Sequence, residues 1–231
     1  MSLAPFVQIL GRGQGRARSM TRDEAEAAMT AMLAEGAAPE AVGAILMLMR
    51  MKGETADEIA GFAAAAHAAL PPWSGTRPAL DWPSYAAGRT RGLPWFLLAA
   101  RLVADAGVPV LLHGWNSHQG TRASVRAALP VLGLRPAECM AEAAWHLGTD
   151  GIAYLPLETM APGVMALLRL RDTLGLRSCV NTVCRMLNPG GAPAAVEGVF
   201  HPPYRELQAD AGMHLGLDRL SVLKGGGGEF E

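Results

Sequence analysis

The chain has 231 residues, half of them hydrophobic and 18% charged, which is enough apolar material for a sizeable core and too much for a disordered segment. Twenty Lys plus Arg against 21 Asp plus Glu leave a formal charge of −1, so no global field drives the chain onto nucleic acid. The cysteines Cys139, Cys179 and Cys184 are odd in number and form no CxxC pair, which argues against both a disulfide framework and a zinc site.

Leu3 to Leu10 reads as a short amphipathic helix, without the charged start or length of a signal peptide. No apolar run reaches membrane-spanning length, so a cytoplasmic location is expected. Gly11-Arg-Gly-Gln-Gly-Arg16-Ala-Arg18 alternates glycine with arginine but follows no strand, so it is not a dinucleotide fingerprint. It reads as a connector or as an anion-contacting loop through Arg12, Arg16 and Arg18. Thr21-x-x-Glu24 and Thr55-x-x-Glu58 are capping boxes, each opening a helix. Between them, Pro39 to Met51 reads as a helix with almost no polar face, which predicts cover on all sides and makes a partner subunit the natural cover.

Pro71-Pro72-Trp73 to Pro78 reads as a hinge. Beyond it, short apolar runs alternate with helical stretches. The expected strands are Ala79–Trp82, Val108–Leu112, Gly151–Leu155, Val196–Phe200 and Leu217–Leu223. The expected helices are Leu93–Ala106, Thr121–Leu132, Pro136–His146, Pro162–Gly175, Ser178–Met186 and Pro203–Leu215. This alternation predicts an α/β fold with a mainly parallel sheet behind an N-terminal helical domain.

Arg169 to Gly191 concentrates chemistry in an apolar setting. A helix end, a turn at Gly175 and a short helix stopped by Asn188-Pro189 carry Arg169, Arg171, Arg177 and Arg185. Forked, permanently charged donors on apolar helices make a candidate anion or carboxylate clamp.

The run Arg171, three residues, Gly175-x-Arg177-Ser178-x-x-Asn181 and then Asn188-Pro189 resembles the anthranilate phosphoribosyltransferase family, glycosyltransferase family 3. Thr21-x-x-Glu24-Ala, Met51-Lys52-Gly53-Glu54-Thr55, His113-Gly114 and Gly198-Val199-Phe200-His201 follow in the same order. The resemblance implies the nucleoside phosphorylase/phosphoribosyltransferase type of fold. It implies a helical dimerisation domain over residues 1–72 joined by 160–190, and an incomplete α/β domain over 73–159 and 191–231. It further implies a homodimer, phosphoribosyl or glycosyl transfer, a phosphorylated small-molecule ligand, and Mg2+ with phosphoribosyl pyrophosphate.

Within the resemblance, Arg171 is expected to hold an aromatic acid. Where the family has its Gly-Thr-Gly-Gly-Asp loop, this chain keeps only Gly88 and Gly92 as glycines. Arg89 and Arg91 there could hold phosphate as charges, while alanines close off the backbone nest. The family's Lys-His-Gly-Asn becomes Leu112, His113, Gly114 and a displaced Asn116. Thr121 and Arg122 open the next helix, where N–H groups attract anions. Of the metal-binding acidic pair only Glu229 aligns, which implies weak metal binding or none. Relatives continue past this point, so the chain reads as truncated. These departures also resemble a divergent, homodimeric branch linked to nucleic-acid binding. On that alternative, Arg12, Arg16, Arg18, Arg89, Arg91, Arg122, Arg171 and Arg177 would hold a phosphate backbone.

Overall fold

The structure, a computed structural model, describes residues 1–13, 15–85, 93–115 and 124–225. Four helices come first: α1 (Ala4–Gly11), α2 (Arg22–Leu33), α3 (Pro39–Lys52) and α4 (Ala56–Ala68). Both capping boxes form as the sequence predicts. Thr21 accepts from the backbone N–H of Glu24 and Thr55 from that of Glu58, with the two glutamates returning the bond. Glu58 does more than cap. Fully buried, it accepts from the Met20 N–H at 2.9 Å and pairs with Lys52 at 2.8 Å, tying three connections together. α2 and α4 cross closely at Gly61, where a Cβ would strike the Arg22 carbonyl. The apolar helix α3 buries Val42, Ile45, Leu46 and Met49, and Phe6, Val7 and Ile9 of α1 pack against the same core. Part of the cover that the sequence assigned to a partner thus comes from this chain's own first helix. Met51 stays exposed.

Five parallel strands follow: β1 (Leu80–Ser84), β2 (Val110–Gly114), β3 (Ile152–Pro156), β4 (Ala194–Val199) and β5 (Leu220–Lys224), in the order β3-β2-β1-β4-β5. The register is set by Asp81 opposite Leu111 and Ala195, and Glu197 opposite Val222. β1, β2 and β3 are buried almost throughout, while β5 is a half-exposed edge. Helices α5 (Phe96–Asp105), α6 (Val125–Ala128), α7 (Met140–Asp150), α8 (Leu157–Met160), α9 (Pro162–Leu174), α10 (Val180–Arg185) and α11 (Pro203–His214) complete the chain.

Strand alternation splits the core in two. Trp82, Val110, Leu112, Ile152 and Tyr154 face α5 and α6. Leu111, Ala153 and Leu155 face the other way, in a core continuous with α2, α3, α4, α7, α9 and α10.

Two expected helices shift. The described part of the Thr121–Leu132 stretch, from residue 124, forms a short α6 and a 3-10 turn over Leu129–Leu132, with Pro130 and the left-handed Gly133 ending it. The helix expected from Pro136 starts instead at Met140, because Pro136 bridges to Tyr154 and Cys139 becomes the N-cap. The one-turn α8 was not foreseen.

Candidate functional site

α9 ends at Gly175, whose φ of 68° suits glycine and lets its N–H return to the Arg171 carbonyl at 2.9 Å. The chain reverses through Leu176, Arg177 and Ser178 into α10. α10 is short because Asn188-Pro189 follows. Asn188 takes a positive φ of 39° and is held there by its side chain, which donates to the Ala192 carbonyl at 2.9 Å and accepts the Ala192 N–H at 2.8 Å. Arg171, Arg177 and Arg185 are thereby fixed on one side of a helical hairpin.

This hairpin forms one wall of an open cleft of about 480 Å3. The C-terminal end of α3 supplies Arg50, whose Nη1 donates to the Arg177 carbonyl at 2.8 Å. The opposite wall is the end of β4 (Gly198, Val199), Phe200, and Tyr204 and Gln208 of α11. β4 lies beside β1, where the strand order reverses, so the cleft opens at the carboxyl ends of the strands next to a topological switch point. That is where open α/β sheets take ligands. Desolvation and then the charges of Arg171, Arg185 and Arg50 push the Arg177 guanidinium below its ordinary pKa. Tyr204 donates to Glu54 at 3.2 Å, and burial followed by the Glu54 charge raises its phenol to about 12.

Beneath the cleft lies a buried polar layer on the same sheet face. His113 Nδ1 meets the Tyr85 hydroxyl at 2.8 Å, and Nε2 lies 3.2 Å from Asp81 Oδ2. Burial raises the Tyr85 phenol far above its usual value, so it stays protonated. The Tyr85 carbonyl accepts from Asn181 Nδ2 at 3.1 Å, and Asn181 accepts from Arg185 through both its backbone and its side-chain oxygen. A chain of polar contacts therefore runs from the sheet interior to the cleft. Glu197, also fully buried, has both carboxyl oxygens without a hydrogen bond, and burial raises its carboxyl well above the usual range against the opposing Arg185 charge.

Of the expected site residues, Arg171 and Arg177 come together in the cleft. His113 stands at the end of β2 but points into the interior, with no exposed surface. Gly114 keeps β1 and β2 in close approach, since a Cβ there would strike the Ser84 carbonyl. Arg18 lies elsewhere, in a 2.6 Å ion pair with Glu24, and Arg12 bonds Gln8 on the surface. Arg16 is exposed and away from the cleft. Gly88, Arg89, Arg91, Gly92, Asn116, Thr121, Arg122 and Glu229 lie outside the described residues.

The sequence did not bring out Arg50, Tyr204 or Gln208. The Met51-Lys52-Gly53-Glu54 match beside Arg50 was its only local signal. Among the described residues no three His, Cys, Asp or Glu side chains come together to hold a metal.

Residues 5–69 match the glycosyl transferase family, helical bundle domain. Over 215 residues, 90% of the chain, the sequence is 34% identical to anthranilate phosphoribosyltransferase of Pelotomaculum thermopropionicum, spanning 61% of that relative. It is 30% identical over 230 residues, 96% of the chain, to the same enzyme of Rhodopseudomonas palustris, spanning 65% of it. The crystal structure of anthranilate phosphoribosyltransferase from Thermus thermophilus superposes on the whole chain with a TM-score of 0.83 at 26% identity, and 68% of that structure is covered. The Saccharomyces cerevisiae enzyme, in complex with PRPP and Mg, shares the fold with a TM-score of 0.78 at 15% identity, over 98% of this chain and 66% of that one. The chain thus spans less than two thirds of the length of these curated relatives.

Proposed function

We propose, for a chain that carries a glycosyl transferase helical bundle domain and is homologous to anthranilate phosphoribosyltransferases, that it is a divergent transferase of glycosyltransferase family 3. It would move a phosphoribosyl or related glycosyl group to an acceptor held in the arginine cleft. The observation that carries the reading is the convergence of Arg50, Arg171, Arg177 and Arg185 at the carboxyl end of β4, beside the switch point.

Transfer from a phosphorylated donor builds negative charge on the leaving group, so catalysis is mostly positioning and electrostatics. In this reading the donor phosphates meet the Gly88–Gly92 and Thr121–Arg122 segments, and Arg171 orients the acceptor. Mg2+ would neutralise donor phosphates when bound. Glu229 is the carboxylate available to help hold it, and the lack of an acidic neighbour makes the site weak. Residues 160–190 would act with residues 1–72 as one unit. Exposed Met51 and half-buried Met47 and Leu48 on α3 support its use as a dimer surface.

A homodimer that binds nucleic acid on this fold has less support. Arg18 is neutralised by Glu24, and Arg12 and Arg16 do not reach the cleft. Isothermal titration with phosphoribosyl pyrophosphate and Mg2+ tests the transferase reading. Saturable heat that survives in wild type and acceptor turnover lost on Arg171→Ala are expected. Absence of heat, together with salt-sensitive retardation of DNA in a gel, would transfer the assignment to nucleic-acid binding.

A further inference from the structure

The cleft holds more positive charge than a single carboxylate needs. Four guanidiniums line it against one lining carboxylate, Glu54, and Glu54 already accepts from Tyr204. The Arg171 side chain has no hydrogen-bond or ion-pair partner among the described residues, and Arg50 is met only by the Arg177 carbonyl.

Arg185 is the most informative of the four. Only 7% exposed, it lines the cleft, and its two hydrogen bonds both go to Asn181 within its own helix. No described carboxylate pairs with it. Glu197, the buried acid on the neighbouring strand, makes no ion pair with it; burial raises the Glu197 carboxyl while the Arg185 charge opposes that shift. A buried guanidinium without an ion-pair partner is costly, and structures accept that cost where a ligand supplies the charge. A second buried group shares this floor. Gln208, 2% exposed, lines the cleft with its Oε1 lacking any hydrogen-bond partner.

We infer that the cleft takes an acceptor with at least two anionic groups, one clamped by Arg171 and Arg177 near the mouth and one by buried Arg185 on the floor, with Gln208 meeting a polar atom of the ligand. The inference rests on the cleft being the acceptor site, and it makes Arg185 the residue that separates oligoanionic acceptors from simple aromatic acids. Phosphate esters and polycarboxylates share the required chemistry.

Titration of the full chain with benzoate, benzene-1,3,5-tricarboxylate and inorganic pyrophosphate tests this. The tricarboxylate or pyrophosphate should bind at least about tenfold more tightly than benzoate, as expected for an additional charge-assisted contact. The better binder of the two names the source of the anionic groups. Arg185→Gln should weaken that binder about tenfold or more and move benzoate by less than about threefold, with Arg185→Lys recovering part of the loss. The ligand-free melting temperature of Arg185→Gln should stay level or rise, because a buried charge without an ion-pair partner has gone.

Equal affinity for benzoate and the oligoanions would overturn the inference while leaving the transferase reading intact. Pyrophosphate binding indifferent to Arg185→Gln would place that anion elsewhere on the protein and would also overturn it. So would a fall in melting temperature with unchanged affinities, which is the signature of a purely structural arginine. If Arg185→Gln does not fold, Arg185→Lys carries the comparison: it should weaken the oligoanion and leave benzoate within about threefold, and equal changes for both would overturn the inference.

Discussion

Glu24 shows how much one surface carboxylate can be asked to do. It closes the capping box of α2 and takes both guanidinium nitrogens of Arg18 at 2.6 Å. The Arg18 hydrogen bond, followed by the Thr21 N–H, lowers its carboxyl to about 2. A depressed carboxyl contributes stability above its unfolded pKa of about 4.3, and that stability is lost as the folded form protonates. The melting-temperature difference between wild type and Glu24→Gln should therefore be constant above pH 5 or so and shrink as pH falls toward about 2. A difference that does not change over that range would show that the ion pair is idle.

The thiols separate as cleanly. Burial pushes Cys184 up to about 12 and Cys179 higher still, whereas Cys139 is exposed at the start of α7. A thiol-labelling time course on the native protein should show one fast group, removed by Cys139→Ser, with the other two reacting only on unfolding. Residue-scale legibility was uneven for a physical reason. A cap is decided by four consecutive residues, so Thr21 and Thr55 could be read directly. The direction of His113 depends on strand parity within the sheet, which no local pattern announces.

Among elements, α2 and α4 cross with no space to spare. Gly61 has no room for a Cβ against the Arg22 carbonyl and Ala25, so Gly61→Val forces the helices apart. Overpacking of this kind costs about 1–3 kcal/mol, read as a lowered denaturant midpoint. Thr55→Ala, which removes the α4 cap and loosens Glu58, should cost about 1 kcal/mol by the same measurement. The helices from Thr21 to Ala68, the strand positions and the α9–turn–α10 hairpin were all readable, because period, caps and Asn188-Pro189 are local. Arg50 and Gln208 were not readable as cleft residues. They sit on α3 and α11; packing of α11 and α10 against α4 carries Gln208 to the hairpin, and Arg50 meets it through the Arg177 carbonyl. The shortened α6 and the late start of α7 have the same origin, since Pro136 is claimed by Tyr154 of β3.

At the scale of the molecule, the clustered guanidiniums of the cleft repel one another. Added salt should then stabilise the protein against heat, and multivalent anions should do so at far lower concentration than chloride. A melting temperature indifferent to both would remove the charge cluster as an energetic feature. The α/β class and the parallel sheet followed from short apolar runs between helices, whereas the strand order did not. A parallel sheet leaves order to the crossovers, and nothing local to Leu80–Ser84 says that it lies at the centre.

That central position has a temporal side. β1 leaves the ribosome first, yet its second neighbour, β4, is synthesised more than a hundred residues later. At ordinary elongation rates one flank of the middle strand waits on the order of ten seconds for its partner. During that interval the nascent chain exposes an apolar ribbon, and its yield in the cell should depend on how well chaperones shelter it.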